Sequence, residues 1–191
     1  GGGGGLGGGS SNAATTLLAM NRLWELNLGE DQLAEIGLRL GADVPVFVRG
    51  HAAFGEGVGE KLTPTNPPED WFVVLKPECN ISTGKIFSAE GLTRDTPKIK
   101  IRPAFEGDAS RYRNDCEDVV RKLYPEVNQS LEWLSQFGPA RLTGTGACIF
   151  GRFPTESAAR IIWESKPSGI TGFVAKGVNH SPLHKKLTEL K

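Results

Sequence analysis

Apolar residues recur at intervals of three and four from Ser10 to about Leu28, with Ala13, Leu17, Met20 and Trp24 on one side. That period predicts a helix with one buried face. A second helix is predicted from about Asp31 to Leu40, with Leu33, Ile36 and Leu40 aligned and Gly41 as its C-terminal cap. The runs Val46-Phe47-Val48 and His51-Ala52-Ala53-Phe54, separated by Arg49-Gly50, read as a hairpin. Gly55 to Gly59 then form a turn or bulge. No fixed-period repeat is visible.

Asn66-Pro67-Pro68-Glu69-Asp70 stops both helix and strand, so it marks a linker. Trp71 to Leu75 reads as a buried strand opening a second domain, and a helix is expected after Ser82-Thr83-Gly84. Thr93 to Ser110 is charged and proline-containing, as a surface loop is. Helices are predicted at about Asn114–Leu123 and Glu126–Gln136, strands at Ala147–Phe150 and Gly172–Ala175, and a helix capped by Thr155 that runs to about Ser165. Strands mixed with helices give an α+β chain.

Ahead of the first helix stand Gly1 to Gly5, Leu6, Gly7 to Gly9, and then Ser10-Ser11-Asn12. Glycines let backbone N–H groups approach a phosphate without obstruction. Ser-Ser-Asn is helix N-cap chemistry, and a helix start directs unpaired N–H groups at an anion. A linker or cloning remnant is the plainer reading of such a run. Leu6 and the direct passage into helix pattern favour the phosphate cradle. Ser10 or Ser11 could offer a hydroxyl to Mg²⁺, or serve only as a cap.

Asp43 follows the second helix in Gly41-Ala42-Asp43-Val44-Pro45, where Pro45 stiffens the chain. A carboxylate held there suits a general base, although an aspartate in a turn is the more ordinary reading. The turn Thr143-Gly144-Thr145-Gly146 could flank a phosphate or hold two strands close. Phe87 could stack on a planar base, with core the plainer alternative. His51, His180 and His184 show no partner spacing and read as surface or strand residues.

Composition narrows the classes. The 191 residues can bury a real core, and 22 basic residues balance 22 acidic ones. That balance argues against a general nucleic-acid binder. Cys79, Cys116 and Cys148 lack the spacing of a zinc site or disulfide framework, so reduced thiols are expected. No apolar run reaches membrane-span length.

Taken together, these segments resemble the GHMP small-molecule kinases. Within them, the glycine pattern before Ser10-Ser11 is similar to the branch acting on a cytidine diphosphate-linked methylerythritol. Gly41 to Phe47, His51 to Glu60, Leu142 to Cys148 and Phe173 to Asn179 fit the same branch in the same order. The resemblance implies a GHMP kinase-like two-domain α+β fold. Residues 1–66 would be the remainder of an incomplete, ribosomal S5 domain 2-like, ATP-binding part. Residues 71–191 would form a ferredoxin-like C-terminal domain.

It further implies ATP and Mg²⁺, and phosphorylation of the 2-hydroxyl of the cytidylated methylerythritol on the non-mevalonate route to isoprenoid precursors. Gly3, Gly4, Gly5, Leu6, Gly7, Gly8, Gly9, Ser10 and Ser11 match the ATP loop, with Ser11 toward the metal. Asp43 matches the aspartate that activates the hydroxyl. Phe87 matches an aromatic on the cytosine, with Thr83 beside it, and Thr143, Gly144, Thr145 and Gly146 match the turn that supports the phosphate loop. No Gly-Lys-Ser/Thr follows the glycines, so this is not a Walker A loop. The implied setting is cytoplasmic, as a monomer or weak homodimer, without nucleic-acid or membrane partners.

The family pattern begins with roughly a third more chain, carrying a catalytic lysine, a second cytosine-stacking aromatic, a base-reading histidine and several strands. The sequence is therefore expected to be an N-terminally truncated, poorly active fragment whose first domain is loosened. A non-catalytic nucleotide-binding module, or a sister kinase for another alcohol such as homoserine or mevalonate, are the alternative readings.

Overall fold

The structure, a computed structural model, describes residues 4–96 and 113–189. In chain order the first elements are α1 (Gly8–Leu23), α2 (Glu30–Leu40), α3 (Val44–Arg49), β1 (Ala53–Glu56), β2 (Lys61–Pro64) and β3 (Trp71–Lys76). They are followed by α4 (Thr83–Phe87), α5 (Glu117–Leu123), α6 (Pro125–Ser135), β4 (Ala140–Leu142), β5 (Ile149–Phe153), α7 (Glu156–Glu164), β6 (Thr171–Lys176) and α8 (Pro182–Glu189). The chain forms two compact units. One holds Gly7–Glu69 and Val178–Lys191, and the other Gly1–Leu6 and Asp70–Gly177.

In the unit of Gly7–Glu69, α1, α2 and α3 close on a small core of Ala14, Leu33, Ala34, Val44 and Val48. Gly37 makes this possible: a Cβ there would stand 2.8 Å from Val44 Cγ1. Arg49, at the end of α3, reaches Glu30 at 2.9 Å and Asp31 at 2.8 Å at the start of α2. Strands β1 and β2 pair from Ala53↔Pro64 to Glu56↔Lys61. The C-terminal segment returns to this unit, where Ala52 N donates to Asn179 O (2.7 Å) and Ser181 N to Gly50 O (2.7 Å).

The other unit is built on an antiparallel sheet in the order β4-β5-β3-β6. Counted along this unit, that order is 2-3-1-4 in a β-α-β-β-α-β sequence, the ferredoxin-like split arrangement. β3 is central, pairing Trp71 with both Phe153 and Lys176. Its Val73 and Leu75 are fully buried with Ile86, Val120, Leu131, Leu134 and Ile149. Side chains of this size each contribute about 1.5–3 kcal/mol when removed from water. Ser82 caps α4 by accepting from Lys85 N, and Thr155 caps α7 by accepting from Ala158 N (3.2 Å).

Several expectations need correction. Val46 to Val48 lie in helix α3, not in a strand. Pro45 opens that helix, and burial of Val44 and Val48 outweighs their β preference. The hairpin forms one segment later, turning at residues 57–60. Trp24 is 63% exposed and Leu40 62% exposed, because each lies at or beyond its helix end. The predicted strand at Ala147 begins at Ile149, and α8 was not foreseen. His184 lies on α8 with its ring against Gly50. The loop expected at Thr93–Ser110 falls mostly outside the described residues. The change of unit near Asp70 adjoins the proline linker, but both chain ends cross over, since Gly4 pairs with Cys148 and Asn179 with Ala52.

The two cores differ in size, and Leu23, Trp24 and Leu26 remain exposed. Local stability follows such differences. Amides of α1 and α2 should therefore exchange with solvent faster than those of Val73–Leu75 in a hydrogen-exchange experiment. Equal protection in the two segments would contradict the difference.

Candidate functional site

The second half of the glycine run belongs to the unit of Gly7–Glu69. Gly7 is left-handed (φ 67°) and occupies the N-cap of α1, whose first turn is Gly8-Gly9-Ser10. The expected Ser-Ser-Asn cap is thereby corrected: Ser10 and Ser11 lie inside the helix, and no side chain caps it. Ser11 N donates to Gly7 O at 2.8 Å, so the N–H groups of Gly8, Gly9 and Ser10 have no intrahelical acceptor. A Cβ on Gly8 or Gly9 would meet nothing within 4 Å. Gly7 instead backs onto the Phe47 ring, 3.0 Å from where its Cβ would stand. Ser11, with Phe47, His51 and Asn179, lines a cavity of about 350 Å³ beside the helix.

Asp43 sits between α2 and α3 in the same unit. The chain turns there through a Val44 N to Gly41 O hydrogen bond of 3.1 Å. Ser10 Oγ lies 3.9 Å from the Cβ position of Gly41, which brings the start of α1 to the turn that carries Asp43. Asp43 is exposed and stands at the N-cap of α3, yet its side chain does not cap that helix. Buried Val44 and Pro45 hold its backbone while the carboxylate faces solvent.

The first half of the run belongs to the other unit. Thr143 Oγ1 donates to Gly4 O (2.8 Å), and Cys148 N donates to the same oxygen at 3.3 Å. A Cβ on Gly5 (φ +69°) would overlap the Thr143 carbonyl oxygen. Thr143 and Gly144 thus lie directly against the backbone of Gly4 and Gly5. Gly146 N closes that turn onto Thr143 O at 2.8 Å. Thr145 Oγ1 lies 3.0 Å from Thr83 Oγ1, joining the turn to the start of α4. On α4, Phe87 is 56% exposed while its neighbour Ile86 is fully buried. Phe87 is therefore not a core residue. Gly3 lies outside the described residues.

Two residues in this network were missed by sequence reasoning. Asn114 Nδ2 donates to Leu142 O (3.1 Å) and Gly144 O (2.7 Å), and Glu117 Oε2 accepts from Leu142 N at 3.1 Å. The only local sign was an Asn-Asp pair three residues before a helix. Cys79, Cys116 and Cys148 are free thiols, and burial raises the pKa of each. Among the described residues, no group of three or more His, Cys, Asp or Glu could hold a metal ion. No helix there is long and apolar enough to cross a membrane.

The family model for the GHMP kinases N terminal domain matches residues 2–51, and that for GHMP kinases C terminal matches residues 100–165. Both occur in this one chain and in that order. The chain belongs to the GHMP kinases. This GHMP kinase chain is 57% identical over 176 residues to the 4-diphosphocytidyl-2-C-methyl-D-erythritol kinase of Hahella chejuensis, covering 92% of this chain and 58% of that protein. It is 59% identical over 175 residues to the protein of that name from Pseudomonas fluorescens, covering 92% and 61%.

The chain thus spans about 60% of the length of the curated relatives it matches. A solved 4-(cytidine 5'-diphospho)-2C-methyl-D-erythritol kinase is similar at TM-score 0.76 and 30% identity, covering 92% of this chain and 66% of that one. Homoserine kinase from Cytophaga hutchinsonii, at TM-score 0.72 and 15% identity, shares the fold alone.

The two kinds of glycine environment predict opposite responses to a methyl group. Gly5→Ala should lower stability by about 1–3 kcal/mol through overlap and left-handed strain. Gly9→Ala, on a helix turn with open space, should be neutral or stabilising by up to about 1 kcal/mol. Denaturant unfolding reads both, and a tolerated Gly5→Ala would contradict the packing described.

Proposed function

We propose that the protein is an ATP-dependent small-molecule kinase that transfers the γ-phosphoryl group to the 2-hydroxyl of 4-diphosphocytidyl-2-C-methyl-D-erythritol, a step toward isoprenoid precursors. One observation carries the phosphate assignment. Gly8 and Gly9 are helical and face open space, so nothing in the protein's own packing requires them to be glycine. Glycine in a helix interior costs about 1 kcal/mol relative to alanine. A phosphate pressed against bare N–H groups at a helix start gives them a reason.

The nucleotide phosphates then lie at the start of α1, held by backbone N–H groups and the positive end of the helix. Ser10 and Ser11 add hydroxyls there. With no carboxylate cage among the described residues, this donor set fits a Mg²⁺ bound chiefly through nucleotide phosphates, with Ser11 as its protein ligand. When bound, that ion would neutralise charge on the phosphates. Asp43 accepts the proton of the substrate hydroxyl as its oxygen bonds to the γ-phosphorus. The bond from that phosphorus to the β-bridging oxygen breaks, ADP departs, and the proton passes from Asp43 to solvent. Positioning supplies most of the rate, because the phosphoryl group itself needs little covalent help.

Exposed Phe87 offers a face for the cytosine, and Thr83 a hydroxyl beside it. The names of the relatives support this substrate over other alcohols. The likeness to homoserine kinase is one of fold and carries no substrate.

In assays of the protein at its natural length, Asp43→Asn should lower kcat by about 10²–10⁴-fold with ATP affinity nearly unchanged. Full turnover in that variant would remove the base role. Gly9→Ala should remain folded and lose at least about tenfold in ATP affinity, by blocking one N–H contact. Unaltered affinity would rule out the α1 start as the phosphate site.

A further inference from the structure

Three hydrogen bonds converge on the side chain of Asn114. Its Oδ1 accepts from Cys116 N at 3.0 Å, fixing the side chain to the backbone just ahead of α5. Its Nδ2 donates to Leu142 O at 3.1 Å and to Gly144 O at 2.7 Å. An asparagine amide has two N–H donors on one nitrogen, so both are used, each on a different carbonyl. The two carbonyls flank Thr143. That residue donates to Gly4 O and presents its own carbonyl directly against Gly5.

Glu117, one turn away, holds Leu142 N at 3.1 Å. Asn114 and Glu117 therefore grip the backbone on both sides of Thr143, which together with Cys148 N seats Gly4. Gly144 is itself left-handed (φ +49°), so one of the two carbonyls that Asn114 holds lies on a glycine of the turn.

We propose that Asn114 is a positioning residue for the glycine run, acting through Thr143. It sets the placement of the Thr143-Gly144 backbone against Gly4 and Gly5, the residues that lead along the chain into the first turn of α1. The nucleotide half of this inference rests on the phosphate-loop reading above, while the positioning half is independent of it. Aspartate is the informative replacement. It keeps an Oδ acceptor for Cys116 N, and nearly the same shape, but it cannot donate to either carbonyl when ionised. Removal of the donors frees the turn while the local bond from Cys116 N to the side-chain oxygen ahead of α5 persists.

The test compares Asn114→Asp and Asn114→Gln with the unsubstituted protein in two measurements. Glutamine retains both donors on a longer arm and is expected to recover part of the effect. In amide exchange without nucleotide, Asn114→Asp should speed exchange of the Gly146 and Cys148 N–H groups at least tenfold, with Val73–Leu75 unchanged. In calorimetric titration with MgADP and, separately, with cytidine diphosphate, Asn114→Asp should weaken MgADP at least fivefold and leave cytidine diphosphate within twofold.

Unchanged exchange at Gly146 and Cys148 would overturn the proposal. So would accelerated exchange across β3 with both ligands weakened alike, since that marks a general loss of structure. If the unsubstituted protein binds no MgADP, the phosphate-loop reading fails, and the exchange result alone decides whether Asn114 positions the run.

Discussion

The site depends on bare backbone. From Gly4 to Gly9 only Leu6 carries a side chain, and it is exposed. On one flank the absence of a Cβ lets Gly5 lie against the Thr143 carbonyl. At the start of α1 it leaves the N–H groups of the first turn uncovered. Steric exclusion would defeat the first with a single methyl group, and in the proposed phosphate-loop reading a methyl at the second would stand where the phosphate approaches. The same chemical simplicity serves packing in one unit and leaves a helix start uncovered in the other.

In the proposed reading, charge favours backbone as the carrier of this load. With 22 basic and 22 acidic residues the chain has no general attraction for anions. Oriented N–H groups and a helix end provide local positive potential without a lysine cluster. Asp43 complements them. Its backbone is fixed by buried Val44 and Pro45, while its carboxylate is spared the capping role that its position would ordinarily assign. A carboxylate free of its own helix is available to a proton from elsewhere.

Much of this was legible in the sequence because it is local. The glycine run, the Asp43 turn, the Thr155 cap and strand β3 each follow from neighbouring residues. The errors came where distant packing decides. Val46 to Val48 look like strand, yet they become helix because Val44 and Val48 fit against α1 and α2. Helix α1 was shifted because Gly7, not Ser10, supplies the cap geometry. Asn114 was invisible because its partners lie 28 and 30 residues away, and no local pattern encodes that pairing. Phe87 shows the reverse case. Composition favoured core, and only the family resemblance favoured a binding role for a ring that proves exposed.

The most direct measurement is amide chemical-shift mapping of the protein as MgADP is added. The N–H signals of Gly8, Gly9 and Ser10 should move most, with Gly4 and Gly5 following and Val73–Leu75 still. Saturable MgADP binding with the Gly4–Ser11 signals unmoved would contradict the assignment of the glycine run as the phosphate loop.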